Sequence, residues 1–163
     1  MTMTTGTVHW TRNIGHVLID YVNIEIGGQE IDRHYGDWLN IWNELTQVAE
    51  KEDGYNVMIG STVSLTTPAL SIPAATLYIP FQFWFCKNPG LALPLIALQY
   101  HEVKFNISFR PASECYITST AAAPTSGTPV IANASLYIDY VYLDTDERRQ
   151  FAQLQHKNSC VEK

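Results

Sequence analysis

The sequence predicts an all-β protein, an antiparallel β-sandwich of jelly-roll type with one or two short helices in its loops. Two segments, 16–26 and 101–110, alternate apolar and polar side chains with the period of two that a half-buried strand requires. The segment 37–50 instead places apolar residues at steps of three and four, which is typical of a helix. Short strands separated by turns that contain Gly and Pro favour a sandwich or a jelly roll.

Composition and charge exclude several classes of protein. The 163 residues suit one domain, and hydrophobic residues make up 46% of them. Charged residues make up only 16%, against about 25% in soluble domains, which indicates a surface that lies against another protein. The net charge of −6 does not indicate the basic surface that binding to nucleic acid requires. No basic leader and no membrane-length apolar run occurs, so we expect neither a secretory signal nor a membrane span.

The first half of the chain is expected to form a hairpin followed by a helix. In the strand 16–26, Val22, Ile24 and Ile26 face one way, opposite Asn23 and Glu25. Gly27-Gly28 supplies the positive φ of a tight turn, and Gln29 to Asp32 return as a short strand. The helix 37–50 would begin at Asp37 and stop at Asp53-Gly54. The first four residues of its apolar stripe are expected to pack on the barrel. The stripe comprises Trp38, Ile41, Trp42, Leu45, Val48 and Ala49. The alternative for the two tryptophans is a stacking site for a sugar or a base.

Strands dominate the prediction for residues 62–110. The segment 62–72 is predicted to be a strand that ends at Pro73, and 77–86 a strongly apolar strand in which Pro80 marks an edge or a bulge. Residues 87–90 form a turn by composition. The strand 101–110 directs His101, Val103, Phe105, Ile107 and Phe109 to one face, the last four of them in the core. Glu102, Lys104, Asn106, Ser108 and Arg110 take the other face.

The last part of the chain combines a loop, a strand and a polar helix. Residues 118–134 are small and rich in Pro and Gly, so we expect an exposed connection. Residues 135–143 are predicted to form the last strand. Asp144, with Glu147 three residues later, resembles a capping box that opens a helix reaching about Gln155. The predicted jelly-roll domain is 1–143, and 144–163 is a short helix with a connection beyond it.

No catalytic, cofactor-binding or metal-ligating residues are predicted. The sequence has no GxGxxG, P-loop or GxSxG motif, and its five histidines are too scattered for a metal motif. His101 and Glu102 point to opposite faces of one strand. Asp32, His34 and Asp37 are close enough for acid–base chemistry, but a hydrogen-bonded turn explains them better. Cys86, Cys115 and Cys160 are expected to remain thiols, and the sequons at Asn106 and Asn133 are expected to be chance matches.

Several long blocks resemble the major capsid protein of large nucleocytoplasmic DNA viruses, of the iridovirus type. They are Ile14-Gly15-His16, then IEIGGQEIDRHYGDWLNIWNELT at 24–46, the apolar block 77–110, and YLDTDERRQFAQ at 142–153. The resemblance implies a double jelly roll, three of which form a pseudo-hexagonal capsomer that tiles an icosahedral shell. It also implies that this chain carries part of the first jelly roll, without its opening strands and without the second jelly roll.

The resemblance predicts a structural capsid subunit that is not an enzyme. Its implied partners are copies of itself within a trimer and in neighbouring capsomers, together with minor capsid proteins. The resemblance also implies no direct contact with nucleic acid, and a location in the virion after assembly in the host cytoplasm. The alternative is a carbohydrate-binding jelly roll for host attachment, which would use exposed rings such as Trp84 or Tyr137. Two coplanar exposed rings with polar neighbours would favour that alternative.

Overall fold

The computed structural model describes residues 6–119 and 129–150. Short 3-10 turns lie between α4 and β5, and residues 145–150 are helical. The main elements of the described residues are, in order, β1 (Val8–Trp10), α1 (Ile14–Leu18), β2 (Ile19–Ile26), β3 (Gln29–Tyr35), α2 (Gly36–Thr46), α3 (Ala49–Ile59), α4 (Val63–Thr66), β4 (Val103–Phe109) and β5 (Tyr116–Thr118).

The strands form two sheets. β1 pairs antiparallel with β5, so that Val8 lies opposite Thr118 and Trp10 opposite Tyr116. The other sheet has the order β3-β2-β4. The predicted Gly27-Gly28 turn is confirmed, with φ of 61° and 82°, values that a side chain disfavours. The return strand β3 continues three residues beyond the predicted end at Asp32.

The chain separates into two compact units. Of the described residues, the first unit takes 6–22, 33–80, 107–119 and 129–133, and the second takes 23–32, 81–106 and 134–150. The core of the second unit centres on Ile24 and Phe83. The core of the first unit consists of Val8, Ile14, Ile19, Val22, Leu39, Ile59, Leu65 and Cys115. Neither unit begins or ends at residue 143, so the predicted domain boundary there stays a prediction.

The first strand begins later than predicted. Residues 16–18 belong to α1, which follows Asn13 in a left-handed conformation (φ 54°), and the strand begins at Ile19. Within β2, Val22 and Ile24 are buried as expected, and Ile26 is half-buried. Asn23 is also buried, because its side-chain amide donates to the Glu30 carboxylate across the hairpin.

The predicted single helix is two helices. α2 ends at Thr46, whose hydroxyl donates to the Trp42 carbonyl at 2.7 Å, and α3 begins at Ala49. The predicted stop at Asp53-Gly54 is wrong, because both residues lie inside α3. That helix runs on to Ile59, which is completely buried, so tertiary packing overrides the helix-weakening effect of the glycine.

Within 62–86, neither of the two predicted strands is present. In 62–72, residues 63–66 form α4, where Leu65 is buried and threonine hydroxyls donate to carbonyls four residues earlier. One bridge remains in this segment, between Ala69 and Val8. The segment 77–86 belongs to no ladder and ends in a 3-10 turn, Trp84–Cys86. The turn predicted at 87–90 is present, and the Asn88 side chain accepts the Gly90 N–H at 2.9 Å.

The alternation predicted for 101–110 appears in β4, but its apolar face is only partly covered. Val103, Phe105 and Ile107 are half-buried, while Phe109 is 38% exposed. The placement of all four in a closed core is therefore wrong. β4 is an edge strand of its sheet, and within the second unit Phe105 is covered by Phe83 and Phe85, with ring centroids 6.3 and 6.1 Å away. Glu102, Lys104 and Asn106 are exposed, as predicted.

The C-terminal predictions have mixed outcomes. Most of the predicted loop 118–134 lies outside the described residues, and Thr118 belongs to β5. The strand predicted at 135–143 is absent, since these residues form no ladder with the described chain. One of the two bonds of the predicted capping box is present: the Asp144 N–H donates to the Glu147 carboxylate at 3.2 Å, and the helix begins at 145. The Asp144 carboxylate instead accepts from the Thr145 N–H at 2.6 Å.

Candidate functional site

Helix α2 turns its apolar stripe outward. Ile41 is 51% exposed and Leu45 is 77% exposed, while Leu39 is buried. The prediction that this stripe packs on the barrel is therefore wrong for Ile41 and Leu45, whereas Trp42 is half-buried and Trp38 is 38% exposed. The inner face of α2 is set by Gly36, since a Cβ there would overlap the main-chain carbonyl oxygens of His16 and Ile19. The close approach at Gly36 decides which face of α2 is turned inward, and the apolar stripe is left as an exposed surface.

The tryptophans on that stripe are not arranged as a sugar platform. The rings of Trp38 and Trp42 are 5.6 Å apart and inclined by 42°, and the His34 ring is inclined by 52° to Trp38. Trp84 meets Phe85 edge to face, with an interplanar angle of 84°. Among the residues that the structure describes, no pair of exposed, coplanar rings is present. The geometry therefore does not favour the carbohydrate-binding alternative.

A polar cavity of about 280 Å³ lies beside α2 in the first unit. Arg12 and Arg110 line it together with Asp37 and Glu44, so positive and negative charges are balanced. Arg110 Nη2 is 3.7 Å from Asp37 Oδ1, a partly exposed pair that contributes at most about 1 kcal/mol. The remaining lining residues are Asn13, His16, Val17, Gly36 and Asn40. The lining includes no cysteine and no serine, so no activated nucleophile is built here.

His16 is the most buried titratable group of this cavity. Its side chain is 1% exposed, Nε2 lies 2.9 Å from the Tyr55 hydroxyl, and Nδ1 has no hydrogen-bond partner in the described chain. Burial lowers the pKa of His16, which the neighbouring Asn40 side chain partly opposes. Burial also raises the pKa of Tyr55. The pair is therefore neutral in the folded protein and acts as a structural contact between α1 and α3.

The buried His16 predicts a loss of stability in weak acid. The unfolded chain binds a proton at this imidazole below about pH 6.5, whereas the folded chain resists protonation. Stability is therefore present above the unfolded pKa and is lost as the pH falls towards the folded pKa. Urea unfolding at pH 7.5, 6.5 and 5.5 measures this slope.

Two variants test whether His16 causes this pH dependence of the free energy of unfolding. We expect His16→Gln to flatten it whatever the absolute stability of the variant, because the titrating group is gone. His101→Gln removes an exposed imidazole instead and is the matched control. Equal slopes in the wild type and His16→Gln would contradict the prediction.

Nothing in the described structure assembles a catalytic or metal site. Of the residues weighed for acid–base chemistry, Asp37 lies beside Arg110 and the His34 ring packs on Trp38. Cys86 and Cys115 are free thiols, and burial raises the pKa of both, which makes them poor nucleophiles. No group of three or more potential metal ligands occurs in the described residues. Among the described helices, none has the length and apolar character that a membrane crossing requires.

Sequence reasoning missed the cavity and its surroundings. Arg12 and Arg110 are 98 positions apart in the numbering, and only the tertiary structure makes them neighbours. The Ile14-Gly15-His16 block was the one local signal, because a histidine and a glycine within an apolar segment indicate close packing. The apolar periodicity predicts the stripe on α2, but it does not indicate that the stripe faces outward.

Comparisons with known proteins identify the family. Residues 1–144 match the family model described as the major capsid protein N-terminus. The major capsid protein of Pyramimonas orientalis virus is 54% identical over 149 residues, which cover 90% of this chain and 36% of that relative. Capsid protein 1 of Acanthamoeba polyphaga mimivirus is 47% identical over 158 residues, covering 91% of this chain and 27% of the relative.

A solved structure supports the same relationship. The chain matches a quasi-atomic model of the PBCV-1 virus capsid with a TM-score of 0.64 and 30% identity, covering 90% of this chain and 36% of that one. This match and the antiparallel sheets confirm the predicted all-β jelly-roll class, with more helix than expected. The chain spans about a third of the length of the relatives just named. By sequence and by fold, the chain belongs to the family of major capsid protein N-terminal domains of large DNA viruses.

Proposed function

We propose that the chain is a structural subunit of an icosahedral viral capsid and works without catalysis. The observation that carries this proposal is the match of residues 1–144 to the major capsid protein N-terminus. Its relatives are named as capsid proteins, and the predicted location is accordingly the virion. The proposal extends to a trimeric, pseudo-hexagonal capsomer assembled in the host cytoplasm, with neighbouring capsomers and minor capsid proteins as further partners.

The surface chemistry supports assembly. On α2, Ile41 and Leu45 present apolar side chains to solvent, and residues 134–142 are exposed although most of them are apolar or aromatic. Large exposed apolar surfaces mark protein–protein contacts. A closed ring of three needs different patches of one chain to match each other. Only 16% of the residues are charged, which lowers the cost of desolvating such patches.

The domain organisation follows the same proposal. Residues 1–143 form the jelly-roll domain, and 144–163 begin a connection towards a second jelly roll. The capping box at Asp144 supports a boundary here, because it starts a new helix immediately after the apolar segment. No catalytic, cofactor or metal site belongs to the proposal.

A chimera tests whether this chain forms a trimeric capsomer. In the Pyramimonas orientalis virus major capsid protein, the 149 matched residues are replaced by the corresponding residues of this chain. We expect the purified chimera to sediment at three times its subunit mass, as a capsomer subunit should. The unaltered relative, prepared in parallel, is the control. A folded chimera that sediments as a monomer while the relative forms trimers would contradict the proposal.

A further inference from the structure

The polar cavity beside α2 is lined by hydrogen-bond donors to which the chain offers no acceptor. Arg110 Nε is buried and has no hydrogen-bond partner within residues 6–119 and 129–150. The Arg12 guanidinium, which also lines the cavity, makes no hydrogen bond or ion pair with the described residues. An arginine side chain can only donate, so both groups require an acceptor. A buried donor left unsatisfied is costly, and beside a cavity it points to a ligand.

His16 adds a third donor to the same cavity. Its side chain is 1% exposed, and Tyr55, whose hydroxyl lies 2.9 Å from Nε2, does not line the cavity. The opposite edge of the ring, which carries the unpartnered Nδ1, therefore borders it. When the Tyr55 hydroxyl donates to Nε2, the neutral imidazole carries its proton on Nδ1 and donates from there. The nearby Asn40 oxygen already accepts from the Asn13 amide at 2.8 Å, so Nδ1 is available to a ligand.

The first turn of α2 favours negative charge at this position. Gly36 and Asp37 line the cavity and begin a helix of 11 residues, and the side chain of its N-cap residue, Tyr35, makes no capping hydrogen bond. A helix N-terminus carries a partial positive charge and N–H groups without helical partners, which suit an anion. The helix end therefore agrees with what the unpartnered side chains indicate independently.

The two acidic residues of the lining leave these donors unsatisfied. The Asp37 side chain is 87% exposed, and its Oδ1 is 3.7 Å from Arg110 Nη2, longer than the roughly 2.7–2.9 Å of a charge-assisted hydrogen bond. Glu44 is exposed and makes no ion pair with the described residues. The acidic groups therefore face solvent, whereas Arg110 Nε and His16 Nδ1 are buried.

We propose that this cavity binds one small oxyanion, a phosphate or a carboxylate group, between Arg12, Arg110 and the first turn of α2. A guanidinium group matches the paired oxygens of either anion. The cavity of about 280 Å³ accommodates such a group together with several waters. The net charge of −6 disfavours a polyanion. The source of the oxyanion is either a free inorganic ion or a carboxylate presented by another chain. Binding does not depend on trimer formation.

NMR titration of the 163-residue chain with sodium phosphate tests the site, at constant pH and ionic strength. We expect saturable shifts of the Nε–H resonances of Arg12 and Arg110 and of the Gly36 amide. Arg149 Nε–H should not shift, because this guanidinium is 73% exposed, lies 3.6 Å from Asp146 and is outside the first unit. Shifts that do not saturate by about 10 mM phosphate would show an adventitious ion only and would overturn the proposal.

Arginine variants test which donors hold the ion. Arg12→Gln should weaken phosphate binding about tenfold or more, since it removes a charge-assisted hydrogen bond. Arg149→Gln removes the same charge elsewhere and should change the affinity by less than about twofold. Arg110→Lys keeps the charge but loses the planar fork, so binding should again weaken about tenfold. Equal effects of Arg12→Gln and Arg149→Gln would refute the site. If Arg110→Lys does not fold, the wild-type shift of Arg110 Nε–H decides.

The acidic residues provide the opposite test. Asp37→Asn should tighten phosphate binding severalfold, because it removes the carboxylate beside Arg110. Asp53→Asn is the matched control, since Asp53 is exposed on α3 and does not line the cavity. Tightening by the same factor in both variants would mean that binding follows net charge alone, and would overturn the proposal.

Acetate distinguishes the two sources of the oxyanion. Displacement of phosphate by acetate, with the same resonances shifting, would support a site that accepts the carboxylate of another chain. Phosphate binding that acetate does not displace would support a free tetrahedral anion. These measurements use the isolated chain, so a failure of the chimera to form trimers leaves them unchanged, and a failure to bind either anion leaves the capsid proposal unchanged.

Discussion

Gly36→Ala is expected to destabilise the protein by about 3 kcal/mol or more, at the upper end of the cost of overpacking. A methyl group at this position would overlap the main-chain carbonyl oxygens of His16 and Ile19. Backbone atoms cannot rotate away as a side chain can, so α2 would have to move off α1. Such a movement would uncover Leu39, which is 1% exposed. Urea unfolding of the 163-residue chain, followed by tryptophan fluorescence, measures the loss.

Gly54→Ala is the matched control for this substitution. Gly54 lies inside α3, and a Cβ there would have nothing within 4 Å. Alanine is the better helix former, so the variant should gain about 0.5–1 kcal/mol. Opposite signs for the two glycines are the expected result. If both variants behaved alike, the close approach of α2 at Gly36 would be refuted.

Phe83→Ala is expected to cost about 3–5 kcal/mol, the range for a buried phenylalanine that leaves a cavity. Phe83 is 1% exposed and lies at the centre of the aromatic cluster of the second unit. Its ring stacks on Phe85 at 5.3 Å with an interplanar angle of 9°, and meets Phe105 edge to face. Few other side chains are available to fill the space, because Ile24 is the other large buried apolar residue described for this unit. The free energy of unfolding from urea titration is the measurement.

Phe109→Ala is the matched control, because it removes a phenylalanine ring that is not fully buried. Phe109 is 38% exposed on β4, so its truncation removes less buried surface, leaves no closed cavity, and should cost about 1–2 kcal/mol. A small effect of Phe83→Ala, comparable with that of Phe109→Ala, would mean that the aromatic cluster is not a core. A large effect of Phe109→Ala would show that this face of β4 is covered in solution.

Local patterns determined the elements whose partners are close in sequence. The hairpin around Gly27-Gly28 follows from positive φ at two adjacent glycines. The helix start after Asp144 follows from a capping box that spans four residues. The alternation of β4 follows from the pleat, which sends Lys104 and Asn106 to the exposed side whatever covers the other face. The family could also be predicted, because long blocks of sequence resemble it in the same order.

Only the tertiary structure decided which faces are covered and which strands are paired. Periodicity shows that α2 has an apolar stripe, but the carbonyl oxygens of residues distant in sequence select the face of Gly36 and Leu39 as the inner one. Likewise, β propensity predicts a strand at 62–72, where the burial of Leu65 stabilises a helical turn instead. A strand also needs a partner, and its own residues do not specify whether one is present, so 135–143 could be predicted as a strand and still lack a ladder. Burial and pairing are relations between distant segments, and for that reason they lie beyond the local sequence.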